Sequence, residues 1–114
     1  VVVVLVVVAV RLQDRAVHVS SYCLPDERTL VIPVMSGPTT WTRVGSLTES
    51  AASVVVEVRE LNAPVPVAGG ELIGLVVHLR EPLGGRRVID AVTGGPMRPE
   101  VLDTCKYVYG RSRG

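Results

Sequence analysis

A chain of 114 residues is the size of a single domain. Its net charge of +1, with both signs interspersed, excludes the basic patch that phosphate neutralisation demands, and nucleic acid with it. Valine dominates, phenylalanine is absent, and the only aromatics are Tyr22, Trp41, Tyr107 and Tyr109. β-Branched residues favour pleated strands, and the dispersed prolines and glycines suit short strands joined by turns. Lys106 is the sole lysine among the basic residues, an arginine bias expected of a GC-rich bacterial source.

Val1–Val10 is an unbroken apolar decamer ended by Arg11, Gln13, Asp14 and Arg15. It is half the length of a membrane-spanning helix, which needs about 20 apolar residues. It is nearly twice the usual strand of about 5–6. The first residue is Val rather than Met, so the segment is read as the end of a signal or anchor helix whose start is missing. A long core strand is the other reading. The helical reading makes residues 1–11 a tether and places the protein outside the cytoplasm, membrane-anchored or secreted. Arg11 and Arg15 would then lie on the outer side, against the positive-inside rule.

The globular part, residues 15–96, reads as strand after strand. Arg15–Tyr22 alternates, with Val17 and Val19 on one face. Leu24–Glu27 is a turn. Arg28–Val34 alternates again, and Pro33, which cannot donate to a ladder, marks an edge strand or its end. Met35–Pro38 is a turn, and Thr39–Glu49 a strand in which Gly45 signals a bulge. Ser53–Glu60 points Val54, Val56 and Val58 inward. Asn62–Gly70 is a Pro/Gly loop. Glu71–Arg80 aligns Ile73, Leu75, Val77 and Leu79, and Arg86–Asp90 forms a short last strand. Six to seven strands at this spacing predict an all-β domain, a small antiparallel β-sandwich or open barrel. Residues 97–114 read as an irregular tail with no helical period.

The chemistry-bearing residues do not form a recognisable site. His18 and His78 sit on polar strand faces without ligand spacing and read as solvated surface histidines. Glu49, Glu57, Glu60, Asp90 and Asp103 form no pair that sequence can place across a cleft. Gly45-Ser46-Leu47 is no nucleophile elbow, and Gly69-Gly70 and Gly84-Gly85 are turn glycines rather than phosphate loops. Trp41 reads as a core plug, because a core without Phe needs bulk, with a binding anchor as the alternative. No catalytic residue, metal ligand or cofactor is assigned. Cys23 and Cys105 are an even pair without C-x-x-C spacing. In an oxidising compartment they predict a disulfide closing a loop of about 80 residues; two unrelated thiols are the alternative.

In Pro82-Leu83-Gly84, Pro82 suits the second position of a turn and Gly84 the fourth. Arg86 and Asp90 are placed to pair beside that turn. With its flanks, Leu75–Gly94, this stretch resembles a pattern in small secreted or membrane-anchored β-rich proteins of actinobacterial type. There an alternating strand runs into Pro-Leu-Gly, then Arg, then Val-x-Asp and a Gly turn. Val44–Val58 is similar as well. The resemblance implies compartment and fold and carries no activity. The leading expectation is therefore a non-enzymatic binding or structural domain of the cell envelope, with an envelope protein or polymer as partner. The rivals are a small extracytoplasmic hydrolase or metal-dependent enzyme assembled only in space, and the sensor domain of a membrane protein.

Overall fold

The structure is a computed structural model that describes residues 13–62, 69–110 and 112–113. The Val1–Val10 segment, its helical reading and its part as a tether lie outside the described residues, as does most of the Asn62–Gly70 loop. The strands are β1 (Gln13–Val17), β2 (Ser21–Asp26), β3 (Thr29–Ser36), β4 (Thr40–Glu49), β5 (Ser53–Asn62), β6 (Glu71–His78), β7 (Arg87–Asp90) and β8 (Arg98–Pro99). Helix α1 (Leu102–Tyr109) and strand β9 (Ser112–Arg113) follow.

They form a four-stranded sheet, β1-β5-β4 with β7 also on β5, and a five-stranded sheet in the order β8-β2-β3-β6-β9. The domain is all-β with two sheets and no closed barrel. The long ladders are antiparallel, but β5–β7, β2–β8 and β6–β9 are parallel. β4 runs along β5 from Val54 to Asn62, so β1 and β7 share the other edge. There β1 faces Val58–Asn62 and β7 faces Ser53–Val56, end to end.

Alternation explains the core. Leu30, Ile32 and Val34 of β3, Ile73, Leu75 and Val77 of β6, Val54, Val56 and Val58 of β5, and Val88 of β7 are buried in one cluster between the sheets. Leu79 joins it, so the two faces expected from β5 and β6, seven residues in all, do share one interior. Successive side chains point to opposite faces, so Val31 and the half-buried Leu72 and Val76 emerge on the far side of the five-stranded sheet. Cys105 and Val108 of α1 cover them there.

Several sequence expectations need correction. Arg15–Tyr22 is two strands: the chain leaves one sheet after Val17 and enters the other at Ser21. Val19, between them, is buried in the core. The turn expected at Leu24–Glu27 is narrower, since β2 continues to Asp26. Only Glu27 and Arg28 intervene before β3, and Asp26 accepts bonds from Arg28 N at 2.9 Å and Thr29 Oγ1 at 3.1 Å. Pro33 does not end β3, which pairs with β6 through Ser36. β2 accompanies β3 only over Thr29–Val31, so Pro33 lies on a stretch with no ladder partner on that side. Residues 97–114 are not an irregular tail. Met97 is in the core, and β8, α1 and β9 strap across the five-stranded sheet. The sequence hides α1 because its apolar residues lie all round it: Cys105 and Val108 are buried while Leu102, Tyr107 and Tyr109 are exposed.

Candidate functional site

The Pro-Leu-Gly segment is a clamp. The turn runs from Leu83 to Arg86, closed by Arg86 N to Leu83 O at 3.1 Å, with Gly84 at φ +55° in its second position. This corrects the expected placement, in which Pro82 held the second position and Gly84 the fourth. A left-handed φ there is costly for any residue with a Cβ, so Gly84 is the residue that sets the turn. Leu83 is buried and its N–H reaches Glu27 O at 2.7 Å.

Arg86 and Asp90 do not pair. Arg86 bonds Glu49 Oε1 at 3.1 Å, and both side chains are only 11% exposed. The guanidinium also donates to the carbonyls of Ser50, Glu81, Pro82 and Leu83 at 2.9–3.3 Å. Glu49 further accepts the N–H groups of Arg80 at 2.8 Å and Glu81 at 3.4 Å. The Arg80 N–H, then Arg86 and Glu81, hold the Glu49 carboxyl below its ordinary range despite the opposing pull of desolvation. Every strong group here is satisfied internally, which makes the cluster a staple between the end of β4 and the β6–β7 connection.

Asp90 instead meets His18. β7 ends at Asp90, in register with Val56, and β1 ends at Val17, in register with Val58. The end-to-end strands thus bring residue 18 beside residue 90. His18 Nδ1 lies 2.5 Å from Asp90 Oδ2, with side-chain exposures of 59% and 1%. Asp90 also accepts Val92 N at 3.2 Å and Thr93 Oγ1 at 3.1 Å. Gly94 N reaches Asp90 O at 2.8 Å, with Gly94 at φ +69°. Burial pushes the Asp90 carboxyl up and is the largest single influence. The bonds from His18, Val92 and Thr93 together outweigh it and leave the carboxyl below its ordinary value. His18 is therefore not a free surface histidine. Its ring is fixed at one nitrogen, and the residue borders a groove of about 290 Å³ also lined by Val17, Val19, Val34, Thr42 and Glu60. Sequence reasoning missed the pair because 72 residues separate its members. His78, on β6, is exposed.

Trp41 is not a core plug. It is 50% exposed on β4, opposite half-buried Leu61, on the outer face of the four-stranded sheet. Beside it Arg43 and Arg59 face each other directly across β4 and β5. Asp14 separates them, bonding Arg43 Nη2 at 2.8 Å and Arg59 Nε at 3.2 Å. The Arg43 bond, with that of Arg59, lowers the Asp14 carboxyl against desolvation. Gly45 sits at the expected bulge, where the β4–β5 register shifts between Val44 and Ser46. A Cβ there would come within 2.6 Å of Arg59 Cγ, so the glycine lets Arg59 cross the strand.

Cys23 and Cys105 are bridged, with Cα atoms 5.7 Å apart. The bond joins β2 to α1 over 82 residues of sequence. Among the described residues no three His, Cys, Asp or Glu side chains gather as a metal-ligand set, and no helix is long and apolar enough to cross a membrane. No protein-family model, curated protein or solved structure matches the chain.

Proposed function

We propose that this chain is a non-enzymatic binding or structural domain of the cell envelope, working outside the cytoplasm. The observation that carries the compartment is the Cys23–Cys105 bond. Such bonds persist in oxidising surroundings and are rare where thiols are kept reduced. The resemblance of Leu75–Gly94 to small secreted or anchored proteins supports the same reading, in which the Val1–Val10 segment would serve as the tether. Trp41 is the contact residue: a large aromatic left half-exposed on an open sheet face is the kind of group that anchors a protein or polymer partner.

Two measurements test this reading. Treating intact producing cells with a membrane-impermeant reductant and then a membrane-impermeant maleimide should label the chain, and omitting the reductant should not; labelling only after lysis would overturn the compartment. Co-sedimentation with isolated envelope should weaken in Trp41→Ala by about 30-fold or more, the effect of losing an anchor worth roughly 2 kcal/mol. Unchanged binding would remove Trp41 from the contact.

A second reading, a small extracytoplasmic hydrolase, draws on the His18–Asp90 pair. A carboxylate that fixes one ring nitrogen leaves the other for proton transfer, as general bases require. Ester hydrolysis lost in His18→Gln and retained in His78→Gln would favour it.

A further inference from the structure

The two sheets treat their edges differently. The five-stranded sheet carries two-residue strands on its rims, β8 along Ser21–Tyr22 and β9 along Gly74–Leu75. Pro25 removes an N–H from β2. On the four-stranded sheet one edge of β5 is covered by β1 and β7. β4, at ten residues, has no strand on its outer edge among the described residues. It contains neither lysine nor proline. Among the described residues the bonds to its backbone from outside its own ladder are Ser36 Oγ to Thr40 O and Thr40 N to Gly37 O, both at 3.2 Å and both at its first residue. A long unpaired edge of this kind is a template for another strand, and stable folds ordinarily blunt it.

The bulge says which strand fits. Burial along β4 alternates up to Val44, repeats an exposed position at Gly45 and Ser46, and alternates again to Glu49. The pattern is symmetric about the Gly45–Ser46 bond. Antiparallel partners directly opposite share a face of the sheet. Setting β4 against a second β4 with the two-fold axis between Gly45 and Ser46 places half-buried Val44 opposite Leu47 and exposed Arg43 opposite Thr48. Thr42 then lies opposite Glu49. Each pair matches exposed with exposed or half-buried with half-buried, and no like charges oppose. A shift by one residue sets exposed against half-buried at every pair off the axis.

We propose that β4 is a homodimer edge, at which two copies of this chain join antiparallel through residues 42–49 and continue the four-stranded sheet across a two-fold axis. The interface is isologous, so it closes at two copies and leaves no further β4 edge exposed. It stands independently of what Trp41 binds.

Sedimentation of the full oxidised chain tests it. The weight-average mass should rise from that of a monomer toward that of a dimer as the concentration is raised from about 1 µM to the millimolar range, passing midway when the total concentration equals the dimer's Kd. Thr48 is exposed and faces neutral Val55 within its own sheet, so its replacement leaves the fold intact; thermal unfolding checks this. In the dimer Thr48→Lys sets a cation opposite the partner copy's Arg43 at two symmetric places and should weaken association about tenfold or more. Thr48→Glu should keep or tighten it. A monomer at every concentration would overturn the proposal. So would self-association indifferent to the sign of the charge at position 48.

Discussion

The two faces of the five-stranded sheet are held by different means. Toward the other sheet, Leu30, Ile32, Ile73 and their neighbours meet an equally aliphatic surface, and burial alone binds the layers. Toward α1 the buried group is four residues, Cys23, Val31, Cys105 and Val108, and two of them are the disulfide. A helix of eight residues does not persist by itself, and Val101 offers it no side-chain cap. Where apolar area is ample the fold needs no covalent help; where it is scant a cross-link takes its place.

The largest effect should come from the first face. Val56 is fully buried at the centre of β5. Val56→Asp places an unpaired charge there, at a cost above about 4 kcal/mol, and should abolish the cooperative transition in thermal unfolding. A retained transition near the wild-type midpoint would mean that the inter-sheet core is not the seat of stability.

Removing the bridge tests the other face. Cys23→Ala with Cys105→Ala should cost roughly 2–5 kcal/mol, mainly by freeing the unfolded chain across a long loop. Hydrogen exchange sharpens the contrast: amides of α1 should lose protection while those of β5 keep theirs. Equal loss in both would show that the two faces form one cooperative unit.

Asp90 lies where the strands of the other sheet abut. Asp90→Ala should destabilise by about 1–3 kcal/mol, because the N–H and O–H donors around it lose their acceptor. The pH dependence has a definite sign. A carboxyl with a depressed folded pKa contributes above its unfolded value, near 4, and the contribution fades as pH falls through the folded value. The gap between wild type and Asp90→Ala in urea unfolding should therefore be full at pH 6 and shrink below about pH 4. A constant gap would assign the effect to packing rather than charge.

The smallest effect is expected at Trp41. It adds little to either face of the core, so Trp41→Ala should move stability by no more than about 0.5 kcal/mol. A much larger loss would return Trp41 to a structural role.

Much of the fold was legible as pattern. Strict alternation in β5 and β6 named the buried valines and leucines, because a pleat puts every second side chain on one face. Gly45 announced its bulge, and the two lone cysteines their bond. Turn chemistry was legible only in outline: Gly84 was placed in a turn, but one whose register lies two residues further on. These are local signals, carried by neighbouring residues or by a pair with no other partner.

What tertiary structure alone decided were the partners of the charged groups and the fate of the last segment. Arg86 chose Glu49 and Asp90 chose His18, because strand order set those ends together across 37 and 72 residues of chain. Trp41 was sent outward by the register of an edge strand, although its bulk suggested a core. α1 formed because the sheet beneath it and the Cys23–Cys105 bond stabilise a turn sequence too short and too evenly apolar to declare itself. Local propensity reaches a few residues along the chain; which distant residue neutralises a charge or covers a face depends on how the sheets close, and no stretch of sequence encodes that by itself.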